Sequence, residues 1–287
     1  PPASTKSSGE AVLRQAISGL SNLDITGLPN SYISTLTVGF TWLANPQNLK
    51  EFTECLRKLA FLESGIILYN PITRFDIRDP EPPGVVDTFN LPDEGPFPRG
   101  SKKKLINSPK RPVGKKYASD CGIFQYTAET FRGLMNSYCS IFGIDRADVS
   151  TLFIWGTETQ VQVHLMAIDI LRQVFVPCIN AGIPPLYRGI LTYTHNGMRA
   201  NTSNFISLAA ARIASLGANP SELSVHLACK SVYDSKQWID TSKAFQVRFW
   251  NNCSYKMAHS PYGLPRQFPE IFLNNPAVFP NTPSRIK

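Results

Sequence analysis

The chain has 287 residues and a formal net charge of +8, and only 17% of its residues are charged, against roughly 25% in an ordinary soluble domain. Its apolar share of 43% allows a substantial core. No run approaches the roughly 18 apolar residues that span a bilayer, so we expect no membrane partner. None of the six cysteines lies within four residues of another, which excludes the close pairs of most zinc and thioredoxin-like sites.

The scarcity of charge has two interpretations, a neutral polar surface or a surface covered by other subunits.

The cysteines lie mostly among apolar neighbours, which predicts buried free thiols in a reducing, intracellular compartment. Because the chain begins Pro1-Pro2 rather than with a methionine, we expect further residues upstream of Pro1. Its length fits one large domain or one domain with an insertion.

Residues 1–70 form the N-terminal part of a predicted helical body. The pattern Ser7-x-x-Glu10 resembles a capping box and opens a helix to Leu20. Residues 31–43 fit either a helix or a strand. Asn45 and Pro46 suit the N-cap and first position of the next helix, which we predict over residues 46–63.

Residues 71–126 are predicted to be a long irregular insertion. Nine prolines fall between positions 71 and 120, and acidic residues precede basic ones. All of the net charge lies between Arg99 and Lys116, because the rest of the chain has 21 basic and 21 acidic residues. An irregular basic segment suits sequence-independent contacts with RNA phosphates. The predicted nucleic-acid-binding residues are Arg99, Lys102, Lys103, Lys104, Lys110, Arg111, Lys115 and Lys116.

That basic segment has other interpretations. It can be a solvated loop, or it can pair with the acidic stretch before it, which includes Asp76 and Asp79. A signal for nuclear import is a third possibility. The segment has no aromatic residue before Tyr117, which argues against base stacking.

Residues 127–253 form the main helical body. Helices are predicted over residues 128–142, over 158–176 with an end at Pro177, and over 203–216, and we expect them to pack with the 46–63 helix as one body. Another helix starts at Asn219-Pro220 and carries Leu223 and Leu227, and Asp234 caps one more. The fold class is therefore mainly α.

Residues 254–287 are predicted to be an extended Pro-rich C-terminal tail. Its six prolines are interleaved with apolar residues, which is not typical of a disordered linker. We expect the tail to lie on a neighbouring subunit. The predicted interface residues are Tyr262, Phe268, Ile271, Phe272, Val278 and Phe279.

The sequence gives little support for catalysis. It lacks the Walker loop, the dinucleotide glycine fingerprint, the HExxH helix and the serine nucleophile elbow. We interpret His164 and His226 as core histidines, and His195 as a turn residue without a nearby nucleophile or carboxylate. We therefore predict no enzyme activity, no catalytic residue, no cofactor and no metal.

The helical body, the Pro-rich insertion, the Lys102-Lys103-Lys104 run and the aromatic Pro-rich tail together resemble coat proteins of plant and fungal RNA viruses. The nearest similarity is to partitivirus capsid proteins. The resemblance implies dimers that build an icosahedral shell around genomic RNA, in the virion and the host cytoplasm. A nucleoprotein that coats single-stranded RNA in a filament is also similar, and a cellular RNA-binding scaffold would share the basic segment.

Overall fold

The structure, a computed structural model, describes residues 6–64, 75–80, 115–119, 122–126, 128–151, 159–195 and 199–239. Helices dominate these residues, so the predicted mainly α fold is confirmed. The helices are α1 (Lys6–Ser18), α2 (Asn30–Leu43), α3 (Pro46–Ser64), α4 (Ala128–Tyr138), α5 (Thr159–Ile170), α6 (Val176–Asn180), α7 (Pro185–Thr192), α8 (Arg199–Ala214) and α9 (Glu222–Ser235).

Shorter elements connect several of these helices. A π-helix, Leu171–Phe175, joins α5 to α6. The 3-10 helices are Leu20–Asn22, Cys139–Phe142, Arg146–Thr151 and Tyr193–His195. The strands β1 (Phe75–Pro80) and β2 (Lys115–Ser119) pair in antiparallel fashion. The two strands lie inside the predicted irregular insertion, so the prediction of irregular structure is wrong for residues 75–80 and 115–119, whereas the described residues 122–125 form a turn. The rest of the insertion and the tail lie outside the described residues.

The chain divides into two compact units that interleave along the sequence. The first comprises Pro1–Ile33 and Leu59–Ile168, and the second comprises Ser34–Lys58 and Asp169–Lys287. These units do not follow the predicted boundaries at 70, 126 and 253. Whether the predicted helices form one body stays a prediction.

The first unit is held together by contacts between elements that are far apart in sequence. His164 Nε2 donates to the Ala16 carbonyl at 2.9 Å. The Tyr126 hydroxyl donates to the Gln162 carbonyl at 3.0 Å. Because the ring of Tyr126 is also buried, the loop before α4 is fixed to α5 by apolar burial and by a satisfied hydroxyl group.

The second unit has an aromatic core in two groups. Phe52 meets Phe175 edge-on at 4.8 Å between ring centroids. Phe205 lies 5.8 Å from Tyr187 and 5.4 Å from Trp238. All five side chains are buried. Buried aromatic side chains contribute large apolar areas, so these rings stabilise the core of the unit.

The start of α3 follows the predicted capping chemistry. The Gln47 amide donates to Asn45 Oδ1 at 2.8 Å, and Pro46 occupies the first helical position. The sequence allowed either a helix or a strand over residues 31–43, and the structure has the helix α2 there. The predicted capping box at Ser7 is wrong, because α1 already includes Lys6 and Ser7 is therefore inside the helix.

The predicted end of the long apolar helix at Pro177 is wrong. The helical path continues to Asn180, because the π-helix widens the backbone just before the proline. The Val176 amide donates to the Leu171 carbonyl, five residues back. Such a turn accommodates a proline that has no amide hydrogen. The helix ends at Asn180, and Gly182, two residues further on, adopts a φ of +68°.

The helix over Thr159–Asn180 is long and apolar enough to cross a membrane, with a mean hydropathy of 1.3. The sequence analysis predicted a helix over residues 158–176 and no apolar run long enough to span a bilayer. However, 78% of its most apolar window is buried inside the protein, as in a core helix. Its length is the combined length of α5, the π-helix and α6.

Two predictions about α9 are also wrong. Ser221, rather than Asn219-Pro220, starts the helix, because its side chain accepts a hydrogen bond from the Ser224 amide at 3.1 Å. Asp234 lies in the last turn of α9 and forms an ion pair with Lys230, so it caps no further helix.

Candidate interaction surface

The predicted nucleic-acid-binding residues are only partly described. Lys115 and Lys116 open β2, where their backbone partners are Pro80 and Asp79. This register fixes only the backbones, because the side chains of both strands lie outside the described residues, so the choice between RNA contact and self-pairing stays a prediction. The other six residues lie outside the described residues, as do all six predicted interface residues of the tail.

Two of the histidines, His164 and His226, are core residues, as the sequence predicted. His164 and His226 are both buried, and His226 lies 6.2 Å from the ring of Tyr187. Burial lowers the pKa of both side chains, to about 4 for His226. They are therefore neutral at physiological pH. His195 is the last residue of a 3-10 helix, its side chain lies outside the described residues, and the predicted turn stays a prediction because residues 196–198 are also outside them.

The thiols are buried rather than reactive. Cys55, Cys178 and Cys229 are buried and Cys139 is half-buried, and none of the four forms a disulfide. Burial raises the pKa of Cys178, and it raises the pKa of Cys229 to about 12. The predicted buried free thiols are thus confirmed for three of these four, and protonated thiols of this kind are poor nucleophiles and poor metal ligands. Across the described ranges, no group of three His, Cys, Asp or Glu residues could hold a metal.

Arg188 is held by several polar contacts and by an aromatic ring in the second unit. Its Nε and Nη2 atoms donate to the two carboxylate oxygens of Glu51 at 2.9 and 3.0 Å. Its Nη1 atom donates to the Ile183 carbonyl at 2.7 Å, and the guanidinium lies 5.6 Å from the ring centre of Trp42. Because these contacts occupy its nitrogens, Arg188 has a structural role and does not offer an anion site.

Three exposed leucines lie just after the end of α8 and in the first two turns of α9. Leu216, Leu223 and Leu227 are 41%, 42% and 41% exposed. In the part of the chain that the structure describes, the other exposed large apolar side chain is Val38 on α2. We call the three leucines the leucine surface. Helix α9 instead buries His226, Cys229, Val232 and Tyr233.

A small open groove lies within this region. It has a volume of about 290 Å³, at the lower limit of the roughly 300–1,000 Å³ of small-molecule sites. The Ser215 hydroxyl donates to the Arg212 carbonyl, and the Ser224 hydroxyl bonds that of Ser221. The groove therefore offers mainly apolar contact. It is lined by Arg212, Ser215, Leu216, Ser224, Leu227 and Ala228.

Charges of both signs lie beside the leucine surface. Arg212 is in the last turn of α8 and Glu222 is the first residue of α9, and both are exposed. Within the described ranges, neither side chain has an ion-pair partner. An apolar centre with a charged rim is typical of protein–protein contacts. The sequence pattern did not reveal this surface, because leucine spacing alone does not say which helix face is buried.

No protein-family model, no curated protein and no solved structure matches the chain.

Proposed function

We propose that this chain is a structural capsid protein that self-assembles into a shell around genomic RNA. The observation that carries the proposal is the leucine surface, which is apolar, exposed and bordered by charges of both signs. Surfaces of that kind favour association with protein. The low charged share of 17% agrees with a surface partly covered by other subunits.

RNA is the proposed cargo because of where the charge lies. The segment from Arg99 to Lys116 carries the whole net charge of +8, so the rest of the chain has no excess attraction for phosphates. Contacts of an irregular basic segment are phosphate contacts, which do not depend on base sequence. We therefore assign RNA packaging to this segment and subunit contacts to the helical body.

The chemistry of the described residues supports a structural rather than a catalytic role. His164 and His226 are buried and neutral, and the thiols of Cys178 and Cys229 are held protonated by burial. Catalysis needs a nucleophile, base or metal within reach of a substrate. Each of these groups is used in packing.

The RNA assignment is tested by neutralising Lys102, Lys103 and Lys104 together as glutamine. The log–log slope of RNA affinity against salt should become shallower by about 2 to 3 units, because each lost phosphate contact removes about 0.7 to 0.9. The control replaces Lys50, Arg146 and Lys236, three exposed cations of the body, with glutamine.

The two triple variants have the same net charge, so only the position of the lost charge differs. We expect the control to keep the original slope and RNA content. If both variants change the slope equally, RNA responds to the overall charge. If neither changes it, the basic segment contacts another protein surface instead.

A further inference from the structure

The leucine surface lacks a partner in the described fold, and its composition indicates what that partner is. It combines three of the four exposed large apolar side chains of the described residues. One cation, Arg212, and one anion, Glu222, flank it, so its local charge is balanced. A balanced surface has no excess attraction for RNA. The groove offers an apolar ligand no buried charge to recognise.

Balanced charge on one surface allows that surface to be complementary to itself. In a twofold contact, residue i of one subunit meets residue j of the other, and j meets i. Arg212 of each copy can then face Glu222 of the other, which forms two opposite-charge pairs. A partner with only acidic or only basic residues would leave one of these charges unmatched.

The shape of the surface also provides two complementary parts. The groove is lined by Leu216, Leu227 and Ala228, whereas Leu223 is exposed but does not line it. Leu223 outside the groove therefore gives each copy an exposed apolar residue, and the groove gives each copy a site that can receive one. A twofold arrangement uses both parts twice.

We propose that a second copy of this chain covers the leucine surface in a twofold contact, with Leu223 of each copy in the groove of the other. In this contact Arg212 of one copy pairs with Glu222 of its partner. The inference rests on the proposed self-assembly and specifies the surface that makes the dimer. It also accounts for the exposure of Leu216, Leu223 and Leu227, because the contact removes them from water.

Charge reversal tests the pairing directly. Arg212→Glu alone and Glu222→Arg alone each place like charges opposite one another, twice per dimer. We expect the dimer dissociation constant of the full-length chain, measured by sedimentation velocity over a concentration series, to rise at least about tenfold. The double variant should associate like the unmodified chain.

An equimolar mixture of the two single variants gives the sharper result. Both pairs across a mixed dimer are again opposite in charge, so the mixture should associate although neither variant does so alone. An ion pair formed within one subunit would not be restored by mixing. Failure of the mixture to associate would therefore overturn the proposed contact.

The apolar part is tested with a matched substitution. Leu227→Asp should weaken dimerisation on the order of 100-fold, because central apolar contacts contribute most to binding and each dimer loses two. Val38→Asp is the control, since Val38 is 45% exposed and does not line the groove. It should leave the dissociation constant unchanged. Equal weakening by both variants would contradict the assignment.

The outcomes separate this inference from the proposed function. If the unmodified chain stays monomeric, both fail. If every variant assembles like the unmodified chain, self-assembly stands and the leucine surface is not the contact. If only deletion of residues 261–287 prevents association and the charge mixture does not restore it, the tail of a neighbour covers the surface instead of the twofold partner.

Discussion

Removing Arg188 should destabilise the second unit far more than removing an ordinary helix ion pair. The Arg188 and Glu51 side chains are only 12% and 17% exposed, and they form a bidentate salt bridge with N–O distances of 2.9 and 3.0 Å. Arg188→Met would leave the Glu51 carboxylate largely out of water without its partner. Breaking a buried pair in this way costs about 3–5 kcal/mol. Because some solvent reaches the pair, we expect about 3 kcal/mol.

The control is Lys230→Met on α9. Lys230 is 16% exposed, close to the value for Arg188, but its partner Asp234 lies one turn away in the same helix. Local pairs of this kind contribute about 0.3–0.5 kcal/mol. Chemical denaturation monitored by circular dichroism would measure both variants, and a difference of about 2.5 kcal/mol should separate them.

A double variant checks the physical reason. Arg188→Met combined with Glu51→Leu removes both charges, so no unmatched carboxylate is left behind. We expect the double variant to recover most of the stability that Arg188→Met loses. If it is as unstable as the single variant, or if Arg188→Met costs no more than Lys230→Met, the reasoning about the unmatched charge is wrong.

Two further predictions concern a glycine and a histidine. Gly122→Ala should cost more than about 2 kcal/mol, because φ is +79° and the added Cβ would lie 1.9 Å from Gln162 Oε1. Gly143→Ala, with φ at +65° and open space around it, should cost only about 1 kcal/mol in the same denaturation assay. Burial lowers the pKa of His226 from 6.5 to about 4, so the unfolded chain binds more protons in that window. The free energy of unfolding should therefore fall as the pH is lowered from 6.5 to 4, by up to about 1.4 kcal/mol per pH unit. His226→Gln should make this dependence shallower in denaturant titrations at several pH values, and an unchanged slope would mean that other groups cause it.

The sequence predicted those features that depend on local chemistry. Asn45 and Pro46 marked the start of α3 correctly, because a side-chain cap and a fixed φ act within a few residues. Pro177 was misleading, since a π-helix upstream lets the helical path continue through it. Nothing in the local pattern distinguishes a proline that ends a helix from one that a wider turn accommodates.

The candidate surface depended on long-range packing and was missed for that reason. Leu223 and Leu227 were recognised as apolar residues of a helix, yet α9 turns His226 and Tyr233 towards the aromatic core and leaves these leucines exposed. The orientation of α9 depends on what the rest of the unit offers for packing. The charge distribution, in contrast, could be read directly from the sequence.

The mass and nucleic-acid content of the purified full-length chain test the central claim most directly. Size-exclusion chromatography with light scattering gives the mass, and the ratio of absorbance at about 260 to 280 nm reports RNA. The account predicts a particle of many subunits that contains RNA and releases it when Lys102, Lys103 and Lys104 are neutralised. A species with the mass of a single chain, free of nucleic acid at low salt, would contradict it.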